Sequence, residues 1–244
     1  RSSDLSRPSS STSFSPSLAL AAIEPAPVDG RHAQEQKAVK TTAFDLQMDA
    51  SAPGLSFHKL DRAVDKNFWS VRVNADIRLI VHRGAASLLL AYVDHHDKAY
   101  RWAERRKIER HPTTGAMQLV EVRERVEELP PTPSAAAPSA APKTPSGPKL
   151  FAGLRKLELM AFGVPEEWVN DVRDATEASL FDLLPHLPQE AQEALLRLAV
   201  GEKPAVREPA PADPAADPFA HPDAQRRFRI LHDGDELRRA LDFP

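Results

Sequence analysis

Two proline-dense stretches constrain this 244-residue chain more than any other feature, because neither is expected to order itself into a packed core. Seven of the 23 prolines lie in residues 130–148 and six more in residues 204–222, set mainly among alanine and serine. Proline lacks the N–H that helices and sheets use, and alanine and serine bury too little apolar area to offset the entropy of ordering the chain. Residues 130–149 and 203–216 are therefore expected to be extended linkers. They leave a serine-rich leader at 1–30, a first module at 31–129, a helical module at 150–202 and a short third segment at 217–244.

Within the first module, Trp69, Val71 and Val73 alternate with Ser70, Arg72 and Asn74, the period of a half-buried strand. A short turn at Asn74, Ala75 and Asp76 leads into a second alternation, Ile77, Leu79 and Val81. A loop carrying Gly84 then precedes residues 88–93, a nearly continuous apolar run suited to a central strand. Together these segments read as an antiparallel meander. Upstream, residues 34–47 predict a helix whose apolar side, with Ala38 and Phe44, closes one sheet face. Downstream, Asp97 opens a basic helical stretch with Ala99, Trp102, Ala103 and Arg106 on one side and Lys98, Arg101 and Arg105 on another. Residues 111–115 read as a turn and residues 117–122 as a last strand. The expected class is α+β: a small antiparallel sheet with helices, followed by a small helical module and proline-rich linkers.

The helical module predicts three or four short helices punctuated by Gly163 and Gly201, with Pro165 in a first turn. Leu180, Leu183, Leu184, Ala194, Leu195, Leu198 and Ala199 have the spacing of a small core. The string LELMAFGV distantly suggests a phosphate-binding helix hairpin, but the second glycine is missing and a packing role is preferred. The third segment predicts a basic strand over 226–232 and a helix after Gly234. With 28 residues it is too short for an independent core.

The formal charge of the whole chain, minus 3, gives no general case for a polyanion partner. Residues 57–115 differ, with 12 Lys and Arg against seven Asp and Glu and five of the nine histidines. Such a local excess favours phosphate backbones in a salt-dependent way. The chain has no cysteine, which fits a cytoplasmic location and leaves no thiolate metal site. His95 and His96 lack a third ligand, so no metal is expected. No G-x-x-x-x-G-K-[ST] loop is present, and no ATPase activity is expected of this chain.

Arg78-Leu79-Ile80, followed by the spacing His96 to Tyr100, resembles the signature of the RelE/ParE superfamily of bacterial toxins. The longer strings WSVRVNADIRLIVH and DHHDKAYRWAERR, with GVPEEWVNDVRDAT and FAHPDAQRRFRI downstream, resemble the N-terminal region of some bacterial UvrD/Rep-type DNA helicases that carry a RelE-like domain. The resemblance covers residues 37–244 apart from the linkers. It implies that residues 217–244 begin a truncated helicase region and pack on a motor in cis, for which alone ATP and magnesium are expected. The resemblance also implies roles at an RNA-cleaving centre for Arg78, His96 and Tyr100, with Arg72 and His82 on the same sheet face. Nucleic acid, DNA and in the alternative RNA, would meet Arg72, Lys98, Arg101, Arg105 and Arg106. Two departures stand out: lysine-rich first helices are missing, and Asp94, Asp97 and Glu104 dilute the field near Tyr100. Two readings follow, a recognition domain of a helicase or an RNA endonuclease toxin.

Overall fold

Alternating apolar residues form a sheet when their apolar face is covered, and here helices from several parts of the chain cover both faces. A computed structural model describes residues 17–21, 32–49, 54–84, 87–122, 147–204 and 217–241. The linker readings for 130–146 and 205–216, and the leader outside 17–21, lie outside the described residues. In chain order the elements begin with β1 (Ser17–Ala21), α1 (His32–Met48), β2 (Phe57–Lys59), β3 (Phe68–Arg72), β4 (Ile77–Arg83) and β5 (Ser87–His95). There follow α2 (His96–Glu104), β6 (Arg106–Arg110) and β7 (Met117–Glu121). The helical part comprises α3 (Lys156–Ala161), α4 (Val169–Asp174), α5 (Glu177–Leu183) and α6 (Gln189–Ala199), and the chain closes with α7 (Pro222–Gln225), β8 (Phe228–Leu231) and α8 (Gly234–Leu241).

The architecture is α+β. Strands β2 to β5 form the antiparallel meander, but the sheet is larger than the small one read from sequence, with order β2-β3-β4-β5-β1-β8. Strand β1 runs parallel to β5, pairing Leu18 with Leu88, and antiparallel to β8. Residues 17–21 thus belong to the sheet and not to an unstructured leader. The third segment also differs from expectation. Residues 217–241 pack within this chain, where β8 pairs with β1 at the far edge of the sheet and α8 contacts α1.

One sheet face presents Val71, Leu79, Val81, Leu88 and Leu90 to Ala43 and Leu46 of α1 and to Leu237 and Leu241 of α8. The other presents Phe68, Ile80 and Leu89 to Ala99 and Ala103 of α2, to Ile108 and to Phe219. Strand β3 is therefore buried on both faces, not one: Ser70 and Val71 are each 0% exposed. The polar position at Ser70 is covered because α2 lies over it. Helix α2 ends at Glu104, two residues before its expected end, and Arg106 starts β6 instead, paired with Glu121 of β7.

Helices α3 to α6 and two 3-10 turns surround a separate core of Leu159, Val164, Trp168, Val172, Leu180 and Leu195. Leu180, Leu183, Leu184, Ala194 and Leu195 are buried as read, whereas Ala199 is exposed. Thr176 caps α5: its hydroxyl accepts the Ser179 N–H while Ser179 Oγ accepts the Thr176 N–H. Gly163 ends α3 at φ +86°, a left-handed conformation that costs other residues dearly, and a Cβ there would meet Glu190 Cγ at 2.7 Å.

Candidate nucleic-acid interface

Helix α2 starts where β5 ends, and the start is fixed by hydrogen bonds from the preceding turn. Asn74 Oδ1 accepts the N–H groups of Asp76 and Ile77, folding the β3–β4 turn, and the His96 N–H donates to Asp76 O at 2.8 Å. Arg78 tightens the same turn: its Nη1 donates to the carbonyls of Asn74, Ala75 and Ile77. Arg72 Nε donates to Asn74 O at 3.2 Å. Arg72 and Arg78 are therefore cross-strand neighbours serving one turn, with Arg72 exposed and Arg78 half-buried.

The inner side of α2 is aromatic. Trp102 stacks on Tyr92 with centroids 4.7 Å apart and planes 1° from parallel, and meets Phe68 edge-on at 5.7 Å. Burial, together with the hydrogen bond from Tyr92 to Asp94 Oδ2, pushes the Tyr92 hydroxyl up to about 12. Tyr100 lies half-buried with its hydroxyl 3.1 Å from Ser70 Oγ, and its ring is 4.2 Å from the ring of His96. His96 Nδ1 in turn lies 2.9 Å from Asp97 Oδ1, and this contact holds the Asp97 carboxyl below its ordinary value. A cleft of about 380 Å³ opens beside Tyr100, lined by Lys59, Asp61, Arg62 and Glu104.

The outer side of α2 is cationic. Lys98, Arg101 and Arg105 are exposed, and Arg101 Nε donates to Asp97 O within the helix. Arg106 is different: it is half-buried, sits 5.2 Å over the Trp102 ring and reaches Glu121 Oε2 at 3.4 Å. Its cation is largely compensated where it stands.

The structure thus brings His96 and Tyr100 together and gives Arg78 to the β3–β4 turn. His82 shares the sheet face of Arg72 and Arg78 but is buried against Phe68. Its Nε2 lies 3.2 Å from Asp65 Oδ2, within ion-pair range though not squarely aligned as a hydrogen bond. Burial raises the Asp65 carboxyl, but the contact with His82 and the N–H groups of Ile108 and Asn67 outweigh it and hold the group below its ordinary value. Sequence reasoning missed Asp65 and Ser70 as partners of site residues. A polar residue at every second strand position was the available signal for Ser70, whereas Asp65 sits in a turn with no period. Among the described residues no three His, Asp or Glu side chains converge as metal ligands, and no helix is long and apolar enough to cross a membrane. No protein-family model, curated protein or solved structure matches the chain.

Proposed function

We propose that this chain recognises nucleic acid through α2 without cleaving it, as a RelE-like module within a protein of the UvrD/Rep helicase kind. The observation that carries the reading is the contrast between Tyr100 and Arg78, which are engaged within the fold, and the cations of α2, which face solvent. Tyr100, the group a nuclease needs free for proton transfer, has its hydroxyl engaged with buried Ser70, and Arg78 is engaged with three turn carbonyls. Lys98, Arg101 and Arg105 instead face solvent, where phosphates are met without desolvating a buried charge. The helicase context rests on the four sequence strings alone and predicts motor motifs, with their ATP and magnesium sites, in the same reading frame.

Duplex binding measured by fluorescence anisotropy against salt tests this reading. Replacing Lys98, Arg101 and Arg105 with alanine should weaken binding and flatten the log-log salt slope by about 0.9 for each lost contact. The fold should survive, since exposed substitutions cost within about 0.5 kcal/mol each. An unchanged slope in the folded variant, or RNA cleavage by the wild type that Tyr100→Phe abolishes, overturns it.

A further inference from the structure

The sheet face opposite α2 carries a feature of another kind, at the corner where β2, β3 and β4 meet. Trp69 lies across from Lys59 on the edge strand and from Val81 on β4, and Phe57 and Arg83 each stand two positions along from those partners. The Phe57 and Trp69 rings meet edge-on with centroids 6.4 Å apart. Arg83 reaches over both, its guanidinium carbon 5.2 Å from the Phe57 centroid and 5.1 Å from that of Trp69. The two rings are half-buried at the rim of the core under α1 and α8, while Arg83, Lys59 and His58 are exposed. Among the described residues neither Arg83 nor Lys59 has a carboxylate partner.

A guanidinium held against aromatic faces is oriented without using its N–H donors, because the attraction comes from the ring quadrupole. Its outer plane and its charge both stay available. An unpaired base supplies a flat π-surface for that plane or for the indole, and the neighbouring phosphate takes the free donors. Bases inside a duplex have both faces already stacked and offer nothing to such a corner. The uncompensated Lys59 beside Trp69 extends the positive field along the edge strand, which argues against an acidic-free apolar partner and for a polyanion with exposed rings.

We infer that Phe57, Trp69 and Arg83 form a stacking platform for unpaired bases of single-stranded nucleic acid, whose phosphates meet Arg83 and Lys59. The Phe57, Trp69 and Arg83 side chains lie on the opposite sheet face from Tyr100 and Ser70, while Lys59 on the edge strand also borders the cleft beside Tyr100; the stacking platform stands or falls independently of phosphate binding by α2.

The test uses the full chain with oligothymidylate and oligouridylate of about 12 nucleotides, within the usual site size for such grooves. Binding should quench Trp69 emission, identified among the three tryptophans by its disappearance in Trp69→Phe, which keeps an aromatic ring. Arg83→Gln changes an exposed side chain and should lower single-strand affinity by about 5- to 150-fold, the range for losing one stacked base, while duplex affinity holds. Both signals must move for the inference to stand; failure of either one, in a variant whose circular dichroism matches the wild type, overturns it. The α2 variant measured on duplex separates the two surfaces: loss there alone leaves α2 as the nucleic-acid contact and removes the platform.

Discussion

Helix α2 and the helical module both dock on the first module, but by different physical means. Helix α2 is seated by small and aromatic side chains, Ala99, Ala103, Trp102 and Phe68, with one hydroxyl pair at the contact between half-buried Tyr100 and buried Ser70. The helical module meets the β6–β7 hairpin through polar groups removed from water. Gln118 is 1% exposed and donates to Gly163 O and to Glu190 Oε1; Glu190 also pairs with Arg227. Trp168 Nε1 donates to Glu121 O at 2.8 Å, and Lys107 pairs with Glu167. His111 Nδ1 accepts the N–H groups of Thr113 and Thr114, so its proton sits on Nε2 and is donated to Val164 O at 3.1 Å. An apolar seat tolerates small displacements at modest cost. A buried polar junction is directional, and removing one partner leaves the other desolvated and unpaired.

The largest expected effect is therefore at the junction. Glu190→Ala strips Gln118 of one acceptor and leaves Arg227 uncompensated at 17% side-chain exposure, and should cost about 3–5 kcal/mol in urea unfolding. A cost below about 1 kcal/mol, the level of an exposed pair, would show the junction to be wetter than drawn.

Next comes acidification, which should act on the junction and not on the seat of α2. Burial pushes His111 below its ordinary 6.5, although the Val164 carbonyl and the carboxylates of Glu190, Glu109 and Glu166 pull it upward. The unfolded chain takes up a proton near that value while the folded chain resists it. Stability contributed by neutral His111 is thus complete above pH 6.5, declines as pH falls through 6.5, and stops declining once the folded imidazole also protonates. Urea midpoints from pH 8 to 5 should show this decline in the wild type, and His111→Gln should flatten it while lowering stability by about 1–3 kcal/mol throughout. Equal slopes in the two proteins would remove His111 as the cause.

The smallest effect belongs to the seat of α2. Ser70→Ala removes one hydrogen-bond partner from a half-buried tyrosine that can turn toward water, and should cost about 1 kcal/mol without changing the pH profile. A loss as large as that of Glu190→Ala would erase the distinction between the two contacts.

Strands β3 to β5, helix α1, the stops at Gly163 and Gly201 and the core of the helical module were legible because each rests on a period or a turn within a few residues. The three-residue β2 is too short for a period to show. Strand β6, Arg-Lys-Ile-Glu-Arg, holds four good helix formers around one isoleucine, and the helical period of α2 runs on into its first residue, Arg106. It is extended because Asp65, 43 residues earlier, accepts the Ile108 N–H, and because β7 pairs along its length. At the site, residue types were legible but their availability was not. Arg78 and Arg101 look alike in sequence; one is engaged with turn carbonyls and the other faces solvent.

By itself the sequence determined the elements whose signals are local: alternation at period two, apolar helical faces and glycine stops. Only the tertiary structure decided that residues 17–21 and 228–231 complete one sheet, that Ser70 is buried under α2, and that Arg83 stands over two rings. Each of these depends on pairing or covering by residues far away in the chain, and the free energy of such contacts is set by which surfaces meet, a quantity no local window contains.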